Sequence, residues 1–418
     1  MKNIKNKLLK LSLVASIFVS GASSLDLKQA VDLALKNNHE LKAQAYDYKQ
    51  SVQNIELSNA NYLPKLDLAY GYNKRDEIVG NQSKEDASFS AALSYNLFNG
   101  LKDISNKQAS QYLSKSSDYS LTALKHDIVL ETKKAYINYL DKLNVLKTYE
   151  SEYKLFDNQF KDAKNRYEQG LLARNDFLQV QVNMSGAKQN VVKAKSDVKI
   201  AKLQLSNILG GYDLSNESIE NFEAKSIVSS TYKQELLEKR SEVEALKMSL
   251  EALKKQRKAQ KGSYLPKLDA KIAHNRFYED LGFNEIDGND NQNVATLSAS
   301  WNLYDGGSTQ TQVAIYNTQI SKLKTQIQKT QLDINLQYEN AKSTLEVASD
   351  NYETASLALK QAKENYEIVN NRFKEGVSTS TDLTDANFLL TSAKQKYNRA
   401  YFDKYLSIAT LDRIFEIK

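Results

Sequence analysis

The hexapeptide "YLPKLD" occurs twice in this 418-residue chain, at residues 62–67 and again at 264–269. The two copies contain the only two prolines of the chain, Pro64 and Pro266. Proline cannot continue a helix or donate a hydrogen bond to a sheet, so it belongs where a helix has ended and a strand begins. The first copy continues as "YLPKLDLAYGY" at 62–72, in which apolar or aromatic side chains alternate with polar or small ones. Both prolines are therefore predicted to mark helix-to-strand entries.

Two further motifs recur in the same order. "SYNLFNG" at 94–100 returns as "SWNLYDG" at 300–306, and "RYEQGLLARNDF" at 166–177 returns as "RFKEGVSTSTDL" at 372–383. The separation is 202 residues at the proline motif and 206 at the two later motifs. The four extra residues fall in the polar stretch 278–293, which is predicted to be a loop. Three landmarks in one order indicate an internal duplication.

Each repeat is predicted to contain a lead-in helix, two short strands, a very long helix, a glycine-centred turn and a last helix. The lead-in helices are expected at about 26–60 and 232–261. The predicted divisions of the chain are a signal peptide at 1–22, a first repeat at 23–210, a linker at 211–231 and a second repeat at 232–418.

The predicted strands alternate with a period of two residues. In "SFSAALSYNLF" at 88–98, Phe89, Leu93 and Leu97 share one face, and the fourth strand repeats this pattern as far as Trp301 and Leu303. The third strand is weaker. Stretches of about ten such residues are typical of transmembrane β-strands. A half-buried hairpin on a soluble domain fits these strands equally well.

Four strands cannot close on themselves, and open sheet edges are not tolerated in lipid. If these strands enter a bilayer, closure therefore requires several chains. Three chains would give twelve strands, and two or four chains would also give an even number.

The long helices are too long for a globular core. No proline or glycine interrupts residues 103–167, which would span on the order of 95 Å as a helix, and the second copy at about 308–373 is similar. Apolar residues in the second copy step alternately by four and three, which predicts coiled-coil packing. They are Ala341, Leu345, Ala348, Tyr352, Ala355, Leu359, Ala362, Tyr366, Val369 and Phe373.

The first residues have the order of a secretory signal, with four lysines, a short apolar run and then small residues. Much of the formal charge of +6 lies in that segment, so net charge gives no reason to expect a nucleic-acid partner. The chain has no cysteine, so its stability must come from packing rather than disulfides.

No catalytic set is found in the sequence. His39, His126 and His274 have no companions at ligand or triad spacing and are expected to be surface residues. The chain is therefore predicted to be no enzyme and to need no cofactor or metal, and the hypothesis is transport.

The sequence resembles the TolC family of outer-membrane channel proteins over nearly the whole mature chain. The resemblance depends on "LDLKQAVDLALKNNHELKAQ" at 25–44 and on the doubled proline, "NL[FY][ND]G" and "R[YF]xxG" motifs. It implies an α+β membrane protein: a homotrimer with a twelve-stranded transmembrane β-barrel, four strands per chain, continued by a periplasmic α-helical coiled-coil barrel. It places the protein in the lipid bilayer of the cell outer membrane, with a large periplasmic portion.

The resemblance also implies a role as the exit duct of a tripartite efflux pump. Substrates would arrive from an inner-membrane pump through a periplasmic adaptor (membrane fusion) protein, and multidrug efflux is the first choice on family frequency. The alternatives are the outer-membrane channel of a type I protein secretion system and, from another class, a periplasmic or surface coiled-coil scaffold without a pore. The sequence does not identify the substrate or the energy source of the pump.

The two glycine-centred turns are the candidate functional sites. Each glycine follows a long helix, where a left-handed cap favours glycine, and a Ser, Thr or Asn is expected to cap the next helix. The resemblance makes these turns the periplasmic tips on which the adaptor docks. The residues it implies there are Arg166, Gly170, Leu171, Arg372, Gly376 and Val377.

The resemblance also implies a gate. Asp382 and Asp385 are three residues apart, hence on one helix face, and they match family positions whose carboxylates ring the closed entrance. Crowding them in a narrow lumen would favour cations and raise some of their pKa values. The alternative is that Asp382 simply stabilises a helix N-terminus.

One departure affects how the entrance would be locked. Family members can hold it shut with an Arg and a Tyr on the second turn, bonded to an Asp on the first. Asp176 matches that Asp, but Ser378 stands at the Arg position and Phe373 at the Tyr position. Arg174, in the first turn, is the candidate substitute.

Overall fold

The computed structural model describes residues 24–78, 80, 83–215, 217–220, 234–281, 284, 290–375 and 377–417. The predicted signal peptide, most of the predicted linker and Gly376 lie outside these residues.

The helices and strands occur in the same order in both halves of the chain. The first half contains β1 (Ser24–Leu25), α1 (Leu27–Asn37), α2 (His39–Ala60), β2 (Lys65–Lys74), β3 (Glu85–Asn99), α3 (Lys102–Glu168) and α4 (Arg174–Ile208). The second half contains β4 (Ser218–Ile219), α5 (Ser241–Lys261), β5 (Lys267–Tyr278), β6 (Asn291–Ser300), α6 (Ser308–Lys374) and α7 (Ser380–Ile414). Short 3₁₀ helices at Gln234–Lys239 and Gly262–Tyr264 flank α5. The predicted pair of very long helices is confirmed, since α3 and α6 have 67 residues each.

Four strands form one antiparallel sheet in the order β2-β3-β5-β6. Pro64 and Pro266 directly precede the first residues of β2 and β5, as expected of a residue that ends a helix and has no N–H for the ladder. The ladder pairs Ala69 with Ser90 between β2 and β3, and Ser94 with Lys271 between β3 and β5. The four strands predicted in the two hairpins are therefore confirmed among the described residues.

The fourth strand is shorter than the sequence predicts. The alternation suggested a strand as far as Leu303, but β6 ends at Ser300, where its pairing with Lys267 of β5 ends. Trp301 and Leu303 are therefore outside the strand and largely exposed. The prediction was wrong for these residues because a strand needs a partner as well as a pattern.

The lead-in helices are interrupted, contrary to the expectation of one continuous helix per repeat. Asn38 separates α1 from α2, and its side chain accepts the N–H of Leu41 at 3.0 Å. In the second repeat Arg240 separates the 3₁₀ helix from α5. A cap residue with non-helical backbone angles explains each break.

The chain divides into two compact units. The first contains the described residues within Met1–Asn37, Glu131–Ser226 and Thr354–Phe402. Here the buried Tyr136 hydroxyl contacts the backbone oxygens of Leu25 and Glu220 at 2.9 and 2.6 Å, and thereby holds β1 and β4. Phe156 of α3 packs on Phe388 of α7, with ring centroids 5.8 Å apart.

The carboxyl group of Glu152 is buried in the first unit, one helical turn before Phe156. The residue is 5% exposed, and its Oε2 has no hydrogen-bond partner among the described residues. Burial raises the pKa of this carboxyl group because the charged form is poorly solvated there.

The second unit contains the sheet and the described residues within Asn38–Leu130, Ile227–Glu353 and Asp403–Lys418. The end of α7 packs into an apolar cluster with α5 and α6. The buried members are Leu237, Val243, Ile334, Ala341, Leu411, Ile414 and Phe415.

A buried ionic network lies in the second unit. The Arg413 guanidinium contacts Asp127 and Glu242, each at 2.6 Å, and Arg240 contacts Glu242 at 2.6 Å. Burial alone would raise the pKa of Glu242, but hydrogen bonds and attraction from both arginines lower it to about 2. The network therefore holds a charged carboxylate at the start of α5.

Candidate functional site

The first turn, in the first unit, closes α3 with a two-bond C-terminal cap. Gly170 has φ of +74°, and its N–H donates to the Tyr167 carbonyl at 3.0 Å. The Leu171 N–H donates to the Arg166 carbonyl at 2.8 Å. This is the Schellman arrangement, in which the left-handed residue is usually glycine because it has no Cβ. The predicted left-handed cap at Gly170 is thus present.

The second turn, in the same unit, has the matching outer hydrogen bond. The Val377 N–H donates to the Arg372 carbonyl at 2.8 Å, as Leu171 does to Arg166. Gly376, the predicted left-handed residue, lies outside the described residues. The two turns therefore share the backbone hydrogen bond that sets the direction in which the chain leaves each long helix.

Each turn presents an exposed apolar side chain, on a residue whose backbone N–H bonds to an arginine carbonyl. Leu171 is 73% exposed and Val377 is 64% exposed. The Arg166 guanidinium pairs with Asp162, one turn earlier, at 3.0 Å. An exposed aliphatic group beside a cation suits docking of another protein, since it offers apolar area with a polar rim.

The helices that follow the two turns, α4 and α7, have differently capped N-termini. The Thr379 hydroxyl accepts the Asp382 N–H at 3.2 Å, and the Asp382 carboxylate accepts the Thr379 N–H at 2.8 Å. This reciprocal capping box begins α7. In the first turn Ala173 holds the cap position of α4, with no side-chain hydrogen bond. The expected Ser, Thr or Asn cap is therefore right for the second turn and wrong for the first.

The carboxylate of Asp382 is hydrogen-bonded within its own turn. Its carboxylate also accepts the Ser378 hydroxyl at 3.1 Å, so the serine at the family's arginine position bonds within the second turn. The pKa of Asp382 is lowered, chiefly by the Thr379 N–H, then by the Thr379 and Ser378 hydroxyls, with attraction from Arg372. Within one chain this direction is opposite to the rise expected from crowded carboxylates.

The other predicted gate residues are exposed and separate. Asp385 lies one turn beyond Asp382 and is open to solvent. Asp176 accepts a hydrogen bond from the side-chain amide of Asn175 at 3.0 Å. Arg174 is exposed, and within the described ranges neither it nor Asp176 is hydrogen-bonded to the second turn. A single chain therefore does not bring the predicted lock residues together.

An aromatic stack beside the first turn was missed by sequence reasoning. The Phe177 ring of α4 stacks on Tyr167 at 5.0 Å and on Phe160 at 5.7 Å, both from α3. At the equivalent place in the second repeat, Leu383 is buried. The available signal was an apolar residue in the first turn of each last helix, with the aromatic Phe160 and Tyr167 near the end of the first long helix.

The three histidines form no site. His39 and His274 are exposed as expected, and His274 Nδ1 lies 2.8 Å from the Asn293 side-chain oxygen. His126 is half-buried in α3, which corrects the surface expectation, and burial lowers its pKa. No group of three or more potential metal ligands occurs in the part of the chain that the structure describes.

None of the described helices is both long enough and apolar enough to cross a membrane.

Comparison with known proteins finds a matching family model and several similar proteins. The family described as "Outer membrane efflux protein" matches residues 30–211 and 233–415. Outer membrane protein TolC of Escherichia coli K12 is 22% identical over 415 residues, covering 94% of this chain and 83% of that protein. Proteases secretion protein PrtF of Dickeya chrysanthemi is 28% identical over 90 residues, covering 20% of each chain.

A solved structure shows the same fold. The Campylobacter jejuni CmeC outer membrane channel superposes with a TM-score of 0.84 at 19% identity, covering 93% of this chain and 85% of that one.

Proposed function

Because the chain belongs to the outer membrane efflux protein family, we propose that it is the outer-membrane exit duct of a tripartite efflux pump. The observation that carries this function is the family match across both repeats, at 30–211 and 233–415. The duct conducts passively, and substrates reach it from an inner-membrane transporter through a periplasmic adaptor. The protein lies in the outer membrane and has a large periplasmic portion.

The assembly proposed for this role is a homotrimer. Three chains supply twelve strands, and each chain contributes two tips, so an adaptor ring meets six similar tips. The matching hydrogen bonds from Leu171 and Val377 support the similarity of the two tips. Their exposed aliphatic side chains support a role in protein docking.

Adaptor docking at the first tip is tested by replacing Gly170 with phenylalanine. A Cβ at Gly170 would meet no atom within 4 Å, so the new side chain has room to project outward. The cost to the stability of the chain is the strain of a left-handed backbone at a residue that has a Cβ. We expect loss of pump-dependent export from cells in which the oligomer still assembles in the outer membrane.

The matched control is Gly211→Phe, at the far end of α4. Gly211 has φ of +83° and is also open within 4 Å, so it carries the same backbone strain away from the tip. Docking at the tip predicts near-normal export by the Gly211 variant. Normal export by a well-assembled Gly170 variant, or equal loss in both variants, contradicts docking at this place.

The proposed gate is tested on the two carboxylates of α7. Asp382→Asn together with Asp385→Asn is expected to remove the block of single-channel conductance by Mg²⁺ added on the periplasmic side. Thr379→Ala is the control, because it weakens the capping box while leaving both carboxylates. If the double variant is blocked as strongly as the wild type, these residues do not form the cation-binding gate.

Protein secretion is the second candidate, supported by the similarity of part of the chain to PrtF. A deletion strain separates the two. Sensitivity to dyes, detergents and bile salts supports multidrug efflux, whereas loss of an exported protein with unchanged drug sensitivity supports type I secretion. A water-soluble product that needs no detergent would support the scaffold alternative.

A further inference from the structure

The four-stranded sheet has one apolar face and one face of mainly small and polar residues. The apolar face carries side chains that are between 45% and 74% exposed in the single chain, namely Leu66, Leu68, Leu93, Ile272 and Leu297. In a transmembrane barrel the apolar face contacts lipid, and the polar face lines the water-filled interior. Molecules that pass through the proposed exit duct therefore meet the polar face of the sheet.

Two lysines lie in one row across the polar face. The ladders pair Lys65 of β2 with Ser94 of β3, and Ser94 with Lys271 of β5. Lys271 is in turn paired with Thr296 of β6. We call these four residues the lysine row. Because Ser94 lies between the two lysines, their backbones are two strand spacings, or about 9.5 Å, apart. Lys65 is the first residue of β2, so the row lies at the end of β2 that follows α2.

Neither lysine of the row is neutralised by a contact. Both are exposed, and within the described residues neither ammonium group makes a hydrogen bond or an ion pair. Lys267, on the same face, differs because its ammonium group contacts the Asp269 carboxylate at 2.9 Å. That carboxylate also accepts the Asn96 side-chain amide at 2.7 Å. The lysine row therefore presents two positive charges to solvent, and the carboxylate of Asp269 is already occupied.

One further carboxylate lies next to the row. Asp67 is two residues beyond Lys65 on the same face, where it is paired with Ala92. Residues at this spacing in a strand are about 7 Å apart. Among the described residues, the Asp67 carboxylate makes no ion pair. It offsets one of the two positive charges from a distance, so each chain keeps an excess of positive charge around the row.

We propose that the lysine row binds the anionic groups of transported molecules, such as carboxylates, sulfonates and phosphates. This inference rests on the proposed function and names a chemical class of its substrates. In the proposed homotrimer, two lysines from each of three chains give six ammonium groups around the conduit. Rings of Lys or Arg side chains make a pore selective for anions, and a compact, strongly hydrated ammonium group holds an anion weakly enough to let it move on.

The spacing of the lysines lets their charges act together. A separation of about 9.5 Å is close to the Debye length, which is about 10 Å at 0.1 M salt, so the two positive fields overlap. The low-dielectric wall of a conduit focuses such a field and raises the local concentration of anions. The proposed gate carboxylates, Asp382 and Asp385, have the opposite sign and belong to the first unit. The row therefore predicts accumulation of anions, whereas the gate predicts block by cations.

Reversal potentials in a salt gradient test the proposal. The purified protein, placed in a planar bilayer between unequal KCl solutions, gives the ratio of chloride to potassium permeability. Lys65→Gln with Lys271→Gln is expected to lower this ratio by about fivefold or more, the effect of six unit charges roughly 10 Å from the axis and screened over one Debye length. Lys65→Arg with Lys271→Arg should keep the wild-type ratio, because the positive charges remain.

The matched control is Lys74→Gln, on the same strand as Lys65. Strand alternation places Lys74 on the opposite face of β2, where its ammonium group contacts Glu85 at 2.7 Å. The same loss of charge there should leave the permeability ratio nearly unchanged. Asp67→Asn is the control of opposite sign. It removes the negative charge beside the row, so it should raise the ratio of chloride to potassium permeability.

Equilibrium binding gives a second measurement that needs no conduction. Benzene hexacarboxylate, a compact polyanion, is titrated into the detergent-solubilised oligomer and followed by calorimetry. The wild type and the double arginine variant should bind it, and the double glutamine variant should lose the binding. Both lysines are exposed, so glutamine is accommodated without repacking, and circular dichroism with the migration of the oligomer checks that each variant is assembled.

The proposal is overturned if the double glutamine variant keeps the wild-type permeability ratio, or if Lys74→Gln changes the ratio equally. It is also overturned if the wild type does not bind benzene hexacarboxylate. Normal drug export by the wild type in such cases would leave the exit-duct function standing. A protein that binds the polyanion through the row, but whose deletion affects no export, would instead refute the function and keep the anion site.

Discussion

Replacing Gly210 with alanine is expected to destabilise the protein more than replacing its neighbour Gly211, although both have a left-handed backbone. Their φ angles are +73° and +83°. A Cβ on Gly210 would lie 2.4 Å from the Asn37 carbonyl oxygen and 2.6 Å from its carbon, whereas a Cβ on Gly211 would meet nothing within 4 Å. The pair therefore separates backbone strain from backbone packing at adjacent positions.

The magnitude follows from what the two variants share. In both variants, an alanine with left-handed backbone angles lowers the free energy of unfolding by about 1–2 kcal/mol. The reduced flexibility of the unfolded chain offsets about 0.4–1 kcal/mol of that loss. Gly211→Ala should therefore cost about 1 kcal/mol. Gly210→Ala must also push α1 away from the end of α4, and such overpacking costs about 1–3 kcal/mol. We expect a total of about 2–4 kcal/mol.

The measurement is urea unfolding of the detergent-solubilised protein, followed by the circular dichroism of its helices. The difference between the two midpoints, multiplied by their common slope, gives the excess free energy of unfolding. Equal midpoints for the two variants, or a lower midpoint for Gly211→Ala, would refute the close packing of Gly210 on Asn37.

Three further predictions concern charge and capping. The pKa of Glu242 is about 2 against an ordinary 4.5, so its carboxylate contributes about 3 kcal/mol to the free energy of unfolding above pH 4.5, which is lost as pH falls towards 2. Glu242→Gln should reduce the acid dependence of the unfolding free energy by that amount, and an unchanged acid slope would contradict it. Because burial raises the pKa of Glu152, the unfolded chain loses the proton of this carboxyl group at a lower pH than the folded chain does, so stability falls as pH rises above 4.5. Glu152→Gln should remove this fall, and a pH slope equal to the wild type's would count against a buried acid. Thr379→Ala should lower the unfolding free energy by about 1 kcal/mol and Ala173→Asp should raise it by a similar amount, because only the second turn has a side-chain cap; equal responses to urea in both variants and the wild type would show that capping does not limit stability at either turn.

Sequence reasoning succeeded where structure depends on neighbours along the chain. Pro64 and Pro266 fix helix-to-strand entries because the proline ring excludes both a helix interior and a central ladder position. Gly170 is recognisable as a left-handed cap because it follows a long helix without other interruption. The four strands and the two 67-residue helices follow from their hydrophobic periods.

The two glycine-centred turns were predictable in position along the chain, but their side-chain contacts were not. The repeated "R[YF]xxG" motif located both turns, and the family resemblance implied that Asp382 and Asp385 form a gate, which stays a prediction. It did not reveal that Asp382 bonds to Thr379 and Ser378 within its own turn, since side-chain rotamers decide this. Nor did it reveal the stacking of Phe177 on Tyr167, which joins two helices across the turn.

The sequence by itself determined the duplication, the order of helices and strands, and the residues at which helices give way to strands. Those properties depend on backbone preferences and on side-chain periods within a few residues. Only the tertiary structure decided where β6 ends, because a strand persists only while a partner supplies its ladder hydrogen bonds.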